Sequence, residues 1–503
     1  MNRFGLNSIT YWSPSGRDRG AFLAILLLAA FLRFFRLDQQ SYWADEVFSI
    51  WQVSGHDGPI FDNLLHNFHG PLHLALLWLW GQLGNWEEAW TRSLSVLGGL
   101  LAVWLIYVLA RQMSERRVAL WTAFLLAISP FHVWYSQEVR NYSQLICFVI
   151  LSQILFVRVL EGPRVASWAR FLLVSAGALL SNLSAVFLFA FQGLYLLWRR
   201  PRLFRTILVV FGLVFLLLLP WVRNYELGWH PDLIGQKSAI RHVNFHPLAF
   251  FYTFMVYSIG DTVGPSRNEL NRYLSMELFT PFLVYLSVVG LTFGFLFIQG
   301  LRARYRKREG VGFFLLWILL PMLVVAVLAI LNVKVYNVRY VTIGFPGYLL
   351  LLASGIERSG RRLRVALVAM TLLFTFVSLK NIYSTPRYWK PDARTAAREI
   401  AEMERPGDVI IVYSIEEPFR FYYEGPGEIR SLQGAVPRDK SFRKKMDDLG
   451  ADFKRVWLVD YRGWYVDPEG EIPKAFSKRW RSVKEYEFVG IRAWLFENPN
   501  KVR

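Results

Sequence analysis

Long apolar runs recur along this chain of 503 residues and restrict what it can fold into. Hydrophobic residues make up 54% of the sequence, and charged residues make up only 19%. Many runs approach the roughly 20 residues that an α-helix needs to cross a bilayer. The pattern predicts an α-helical polytopic membrane protein with about 11 transmembrane helices. The predicted spans are 20–37, 88–110, 117–131, 142–160, 168–183, 184–198, 203–222, 277–298, 311–331, 341–357 and 363–380.

The formal net charge of +19 could indicate a nucleic-acid partner. The basic residues, however, collect in short gaps between the apolar runs, as they do in cytoplasmic loops. Twenty-two Lys and Arg residues lie in six gaps on the N-terminal side of an 11-span topology. The gaps are 1–19, 111–117, 158–170, 199–205, 302–308 and 358–364. This distribution argues against nucleic acid and predicts a cytoplasmic (inner) membrane protein with a cytoplasmic N-terminus and an extracytoplasmic C-terminus.

One apolar segment, HGPLHLALLWLWGQLG from His69 to Gly84, is too short for an unbroken span. We expect a juxtamembrane or re-entrant helix with Pro71 in its first turn, because the missing N–H costs nothing there. The loop from Leu37 to Glu87 then stays wholly on the extracytoplasmic side.

Two adjacent carboxylates, Asp45 and Glu46, follow the first apolar run in the stretch YWADEVFS. An acidic pair at the mouth of a membrane span is costly unless it meets water, a cation or a substrate. Two interpretations stay open from the residues alone. The pair could cap a helix, since carboxylates favour helix N-termini, or it could face water, a cation or a substrate.

A second polar cluster lies between the third and fourth predicted spans, in SPFHVWYSQEVRNYSQ. Glu138, Arg140 and Tyr142 fall in this loop, on the same predicted side as Asp45. The loop could be an interfacial aromatic belt with one internal Glu–Arg pair, which is ordinary at a membrane surface. It could equally be the second half of a site that begins at Asp45.

Two basic residues lie on the side of the membrane that the charge bias disfavours. NVKVYNVRY, between the ninth and tenth predicted spans, places Lys334 and Arg339 outside. They either extend to the interface, as long cationic side chains do, or face an anion.

The composition changes after Lys380. PDARTAAREIAEMERPGDVIIVYS predicts an amphipathic helix, a Pro-Gly-Asp turn and a buried strand at Val409–Tyr413. Further strands are predicted at Arg455–Tyr461 and within EYEFVGIRAWLFEN. We therefore expect a transmembrane domain at 1–380 and a small extracytoplasmic soluble α/β domain at 381–503. We expect the second domain to help to choose the acceptor and to take no part in the chemistry.

The ordered set of motifs resembles a known family. LRFFRLDQQSYWADEVFS, HGPLHLALLWLW, SPFHVWYSQEVRNYS and VRYVTIGFPGYLLLLASG follow one another as they do in bacterial glycosyltransferases of family 39 and their relatives. These relatives include the protein O-mannosyltransferases and the lipid A aminoarabinose transferases, all in the GT-C superfamily. The resemblance covers essentially the whole chain, and it rests on the order of the motifs because each motif alone is common.

The resemblance implies an inverting glycosyltransferase with the GT-C fold. It would move a sugar from a polyprenyl-phosphate-linked donor to a lipid, polysaccharide or protein acceptor at the outer face of the membrane. By the matching motifs, Asp45 would be the general base and Glu46 its neighbour. Glu138, Arg140 and Tyr142 would line the same cavity.

Other matches imply contacts with the donor. Arg339 would bind the donor phosphate, and we expect Arg140 to hold it as well, with Lys334 in a supporting role. Many relatives have His-Pro-Pro-Leu where this chain has His69-Gly70-Pro71-Leu72, so His69 is a candidate substrate-binding residue. Where many relatives have a Thr-His-Tyr turn, Ser181-Asn182-Leu183 lacks the histidine. A divalent metal ion could share the phosphate, but no spacing of His, Asp and Glu names its ligands.

The residue types fit this chemistry independently of the resemblance. Glycosyl transfer needs a carboxylate to take the acceptor's proton and cations to hold the departing phosphate. An inverting transfer needs one such base and no covalent sugar–enzyme intermediate. The main alternative is a lipid-linked sugar flippase or transporter, which should show charges at mid-membrane and paired broken helices. A non-catalytic membrane scaffold is a third class, but it would not need two acidic motifs on one side.

Overall fold

The computed structural model describes residues 16, 18–66, 70–227, 245–272, 276–305, 310–333, 335–432, 440–467 and 469–501. Helices make up most of the described chain as far as Ser384, and a five-stranded sheet with flanking helices follows. In chain order the first helices are α1 (Arg19–Phe34), α2 (Ala44–Ser54), α3 (Ile60–His66), α4 (Pro71–Gln82), α5 (Glu88–Met113), α6 (Arg116–Ile128), α7 (Pro130–Ser136), α8 (Tyr142–Glu161), α9 (Val165–Ser181), α10 (Ala185–Arg199) and α11 (Pro201–Leu227). They are followed by α12 (Leu248–Ile259), α13 (Arg267–Arg272), α14 (Leu283–Arg304), α15 (Val311–Ile330), α16 (Phe345–Arg358) and α17 (Arg361–Ser384). Short 3₁₀ segments, Met276–Phe282 and Val338–Gly344, lead into α14 and α16.

Seven of the described helical segments are long and apolar enough to cross a membrane. The pair α6 and α7, bent by 57°, adds an eighth if it forms one span. Helices α1, α9 and α10 are shorter, at 16, 17 and 15 residues. Each of the eleven predicted spans therefore coincides with a helix or a helix pair, and the chain is a multi-span helical protein. The number of eleven crossings is not confirmed.

The bend between α6 and α7 has a local cause and a partner that stabilises it. Pro130 lacks an N–H and cannot continue a helix, so a new helix starts there. The guanidinium of Arg33, fully buried on α1, donates to two carbonyl oxygens at the end of α6, at 2.9 and 3.1 Å. It also lies 2.7 Å from Nδ1 of His132 on α7. These bonds satisfy backbone groups that lipid could not, and they fix the start of the loop that carries Glu138.

The short helix predicted in the segment 69–84 is confirmed. Helix α4 has 12 residues and begins at Pro71. Its Leu74 and Leu77 pack in one buried cluster with Val47 and Ile50 of α2 and with Val139. Each such side chain contributes roughly 1.5–3 kcal/mol on burial, so α2 is held firmly against α4 and the loop 137–141.

The last part of the chain forms a mixed sheet. Its helices are α18 (Ala393–Met403), α19 (Glu417–Tyr422), α20 (Lys440–Asp452) and α21 (Glu471–Arg479), and its strands are β1 (Asp408–Ser414), β2 (Glu428–Ser431), β3 (Arg455–Tyr461), β4 (Arg481–Phe488) and β5 (Ile491–Glu497). The strand order is β2-β1-β3-β5-β4. Strand β1 pairs in parallel with both neighbours, and β5 pairs antiparallel with β3 and β4. The strands predicted at Val409–Tyr413 and Arg455–Tyr461 are confirmed, and EYEFVGIRAWLFEN supplies two more.

The sheet sits on the end of the helical bundle that carries α2. Tyr422 of α19 accepts a hydrogen bond from the backbone N–H of Tyr42 at 2.7 Å and donates one to Glu88 at 2.7 Å. Arg394 of α18 pairs with the same Glu88 at 3.0 Å. The sheet therefore adds its own side chains to the region around the acidic pair.

Candidate active site

Asp45 lies in the first turn of α2 and faces a cation from a distant part of the chain. Its Oδ2 is 3.1 Å from Nη1 of Arg339, and 35% of the Asp45 side chain is exposed. Trp43 occupies the N-cap position of α2, and its backbone N–H donates to Glu46 Oε2 at 3.4 Å, so the capping interpretation applies to Glu46 and not to Asp45. A partly exposed carboxylate beside a cation can meet a substrate hydroxyl, which a fully buried ion pair cannot do.

Glu46 is fully buried, and both of its carboxylate oxygens are occupied. Arg92 donates to Oε1 at 2.9 Å and to Oε2 at 3.0 Å, Lys390 donates to Oε2 at 3.0 Å, and the Val139 N–H donates to Oε1 at 2.9 Å. Burial alone would raise the pKa of Glu46, but Arg92 and Lys390 outweigh it and lower this pKa to about 2. Glu46 therefore stays ionised and joins α2, α5, the loop 137–141 and the segment after α17.

Glu138 is buried beside the same lysine. Its Oε1 lies 3.6 Å from Nζ of Lys390, whereas its Oε2 has no hydrogen-bond partner within the described ranges. Burial raises the pKa of Glu138 and the charge of Glu46 adds to this effect, while Lys390 opposes it. Burial also lowers the pKa of Lys390, against the pull of the two carboxylates. Glu138 thus offers an open acceptor or donor atom at the wall of a cleft.

Arg140 and Tyr142 reach the acidic helix in different ways. Arg140 donates to the backbone carbonyl of Asp45 at 3.1 Å and to the hydroxyl of Ser49 at 3.0 Å, so it braces α2. The guanidinium of Arg339 lies 5.9 Å from the ring centroid of Tyr142, in cation–π range. The structure therefore brings Asp45, Glu138, Arg140, Tyr142 and Arg339 together. His69 and Lys334 lie outside the described residues.

The cleft beside these groups is rich in cations that no sequence motif singled out. Arg267 pairs with Asp261 at 2.5 Å, and Arg387 pairs with Glu269 at 2.8 Å. The other lining residues are Trp43, Trp134, Glu138, Thr262, Asn268, Tyr388, Trp389, Lys390, Pro391 and Arg462. A pocket with this many guanidinium groups and flanking aromatic rings suits a phosphate on an organic carrier.

Two residues that contact Glu46, Arg92 and Lys390, are not among the residues predicted from the sequence, for different reasons. Arg92 lies inside the predicted span 88–110, and an arginine within an apolar run is a recognisable signal of a buried partner. Lys390 meets Glu46 across 344 positions, in a loop whose composition is unremarkable. No local pattern predicts such a contact.

Metal ligands were not named from the sequence, and the described structure adds none. Among the residues that the structure describes, no group of three or more His, Cys, Asp and Glu side chains could hold a metal ion.

The fold is that of a polytopic helical membrane protein with a small sheet domain, and comparisons with known proteins show which solved structures it resembles. Residues 68–223, under a third of the chain, match the sequence model of the dolichyl-phosphate-mannose-protein mannosyltransferase family. No curated protein matches the sequence.

Solved structures match over almost the whole chain. ArnT from Cupriavidus metallidurans in the apo state has a TM-score of 0.59 at 13% identity, covering 96% of this chain and 98% of ArnT. ArnT bound to undecaprenyl phosphate gives 0.58 at 13% identity, with 97% and 99% covered. The archaeal oligosaccharyltransferase AglB from Archaeoglobus fulgidus, in complex with an inhibitory peptide and a dolichol-phosphate, gives 0.51 at 12% identity, with 97% and 75% covered. At these identities the matches show a shared fold, and the predicted resemblance to GT-C glycosyltransferases is confirmed at that level.

Proposed function

We propose that this protein is an inverting glycosyltransferase that moves a sugar from a polyprenyl-phosphate-linked donor to a lipid, glycan or protein acceptor. The observation that carries the proposal is the pairing of Asp45 with Arg339, because it places a partly exposed base next to a phosphate-binding cation. The similar ArnT and AglB structures hold undecaprenyl phosphate and a dolichol-phosphate, which supports a lipid-phosphate donor.

An apolar groove supports a donor with a long hydrocarbon chain. The groove has a volume of about 230 Å³ and runs between α12, α14 and Tyr348 of α16. Aromatic and aliphatic side chains line it, including Phe251, Phe254, Leu286 and Phe293. Helix α12 ends at Ile259, two residues before Asp261 of the cationic cleft. A polyprenyl chain in the groove would therefore present its phosphate to the cleft.

The residues suggest one displacement step. The acceptor hydroxyl attacks the anomeric carbon, and Asp45 takes the hydroxyl proton as the new carbon–oxygen bond forms. The bond to the donor phosphate breaks, and the phosphate leaves with the electron pair, stabilised by Arg339. In the resting site Arg339 neutralises Asp45, so phosphate binding would compete for the arginine and release the base. The configuration at the anomeric carbon is inverted, because the transfer is a single displacement without a covalent enzyme intermediate.

Other predicted residues take supporting roles in this proposal. Glu46 acts as a positioning residue, because its buried carboxylate is fully hydrogen-bonded and cannot reach a substrate. Arg140 braces the backbone of Asp45, which revises its predicted phosphate contact to a positioning role. Glu138 and Tyr142 remain proposed substrate contacts, and so do His69 and Lys334 outside the described ranges.

The domain boundary and the orientation belong to the same proposal. We assign the transmembrane domain to 1–380 and the soluble α/β domain to 381–503, with the cleft and the soluble domain outside the cytoplasm. The 22 bases in six alternate gaps support this orientation.

The proposal is tested by comparing cells that produce the protein with cells that produce Asp45→Asn or lack the gene. Mass spectrometry of membrane lipids, glycans and envelope proteins should find one sugar modification that only wild-type cells carry. Identical products in all three would contradict the proposal. A flippase would be favoured instead if the protein transports the sugar-linked lipid across vesicle membranes without an acceptor and Asp45→Asn does not change this transport.

A further inference from the structure

The loop after β3 carries an arginine in an unusual backbone conformation. Arg462 has φ 58° and ψ 37°, which lie in the left-handed region. Residues other than glycine, asparagine and aspartate rarely adopt this backbone conformation. Asp460 accepts a hydrogen bond from the Gly463 N–H at 2.5 Å and so holds the turn on its other side. Such strain persists where the surroundings require one side-chain direction, and it concentrates at functional sites.

That direction leads out of the sheet domain and into the cleft. The Arg462 guanidinium lies 5.2 Å from the ring centroid of Trp43, the residue that begins α2. Arg462 lines the cleft together with Glu138, Arg267 and Lys390. Its Nε is buried and has no hydrogen-bond partner in the described part of the chain. The sheet domain thus supplies a side chain to the membrane-domain site.

Unlike the neighbouring arginines Arg267 and Arg339, Arg462 forms no close ion pair among the described residues. Arg267 has Asp261 as its counter-ion at 2.5 Å, and Arg339 has Asp45 at 3.1 Å. Among the described residues no carboxylate lies within ion-pair distance of Arg462. Burial lowers the pKa of Arg462, Tyr461 and the more distant Asp45 oppose this effect, and the charges of Arg267 and Arg339 add to it. Like charges that converge in a half-buried cleft repel each other unless an anion joins them.

A purely structural role fits these observations less well. Cation–π contact with Trp43 could fasten the sheet to the helices. The same interface, however, is already fastened by Tyr422 and Arg394 on Glu88, outside the cleft. A fastening contact also needs neither an unpaired buried Nε nor a left-handed backbone.

We propose that Arg462 is a substrate-binding residue of this site and that the sheet domain uses it to bind the phosphate of the lipid-linked donor. The inference rests on the proposed function and adds to it. The donor phosphate would then lie between cations of both domains, and the sheet domain would take part in donor binding. This differs from the expectation that residues 381–503 are uninvolved in the chemistry.

The test uses the full-length protein in detergent, titrated with undecaprenyl phosphate and, separately, with undecaprenol. Binding is followed by tryptophan fluorescence, since Trp43 and Trp134 border the cleft. We expect Arg462→Gln to weaken the binding of undecaprenyl phosphate at least about tenfold, because one charge-assisted contact is lost. The binding of undecaprenol should be unchanged. Arg462→Lys should bind undecaprenyl phosphate with an affinity between those of the wild type and Arg462→Gln, because lysine keeps the charge but lacks the planar guanidinium fork.

Two control variants separate binding from domain attachment. Arg479→Gln removes an exposed ion pair with Asp447 in the same domain and should bind like the wild type. Arg394→Gln loosens the attachment at Glu88 without entering the cleft and should also retain phosphate binding. If Arg394→Gln and Arg462→Gln weaken the binding of both probes equally, the inference is overturned and Arg462 is a structural contact between the domains.

A further variant uses the backbone strain. Arg462→Gly relieves the left-handed conformation, so the unfolding temperature should stay the same or rise while phosphate binding falls. A lower unfolding temperature, together with an equal loss of affinity for both probes, would show that Arg462 has a structural role and does not bind the phosphate. Unchanged phosphate binding in Arg462→Gln, with a clear loss in Arg339→Ala, would overturn this inference alone. Failure of the wild type to bind undecaprenyl phosphate would overturn the proposed function as well.

Discussion

Asp45 and Glu46 are chemically similar neighbours, yet the structure gives them different surroundings. Glu46 is buried and held by Arg92, Lys390 and a backbone N–H, whereas Asp45 is partly exposed beside Arg339. Adjacent residues on a helix point about 100° apart, so one faces the protein interior and the other faces the cleft. The acidic pair therefore divides into one positioning residue and one candidate base.

Glu46→Gln should destabilise the protein strongly. The change leaves Arg92 and Lys390 buried with reduced counter-charge, which costs about 3–5 kcal/mol when one partner of a buried pair is removed. Glu402→Gln is the matched control, because its pair with Arg398 is exposed and should contribute about 0.3–0.5 kcal/mol. Unfolding temperatures of the purified variants check this. Equal stability of Glu46→Gln and the wild type would show that the buried network is not required for the fold.

The same network predicts a pH dependence. The folded-state pKa of Glu46 is about 2, below the roughly 4.3 of an unfolded glutamate, so its stabilising contribution is fully present above the unfolded value. It is lost as the pH falls from about 4 through 2. Wild-type unfolding temperatures should therefore drop over this window more steeply than those of Glu46→Gln. Parallel curves for the two proteins would contradict the lowered pKa.

Arg339 should bind the donor phosphate through its planar fork. Arg339→Ala should weaken undecaprenyl phosphate binding at least about tenfold, and Arg339→Lys should restore only part of the affinity. Arg398→Ala, an exposed arginine of α18, is the control and should bind normally. Normal affinity in both Arg339 variants would leave Arg339 as a residue that merely extends to the lipid interface.

At the scale of elements, the sequence predicted the parts that depend on local pattern. Apolar length placed the long helices, Pro71 placed the start of α4, and alternating burial placed β1 and β3. The sequence could not predict that α19 would pack on α2 or that the loop after β3 would reach Trp43, because these contacts depend on tertiary packing. The same limit explains why Asp45, Glu138 and Arg339 were found from motifs, whereas Lys390 and Arg462 were missed.

The bend between α6 and α7 depends on a buried cation, and this can be tested. Arg33→Met should free the carbonyl oxygens at the end of α6 and cost about 1–3 kcal/mol for buried groups left without a donor. Helix α7 would then lose its anchor at His132, and donor binding near Glu138 should weaken. Arg19→Met, at the exposed start of the same helix, should change neither property. Wild-type stability in Arg33→Met would contradict this role.

At the scale of the whole molecule, the sheet lies against the mouth of the helical bundle and completes one cleft with it. The proposed orientation places this mouth outside the cytoplasm. Cysteines introduced at Ser54 and Ser477, both exposed, should react with an impermeant thiol reagent in intact spheroplasts. Gly360→Cys, on the opposite side, should react only after lysis, and the buried Cys147 should stay silent. Labelling of Gly360→Cys alone in intact cells would reverse the orientation.

The central claim is that Asp45 is the base of a glycosyl transfer, and Asp45→Asn tests it most directly. Transfer and donor affinity are measured on the same purified variant, with the donor identified by mass spectrometry. The amide preserves the shape of the side chain but cannot accept the acceptor's proton, so turnover should fall by about 10²–10⁴-fold. Donor affinity should be equal or higher, because Asp45 no longer competes with the phosphate for Arg339. Turnover near the wild-type value in a folded variant would contradict the mechanism.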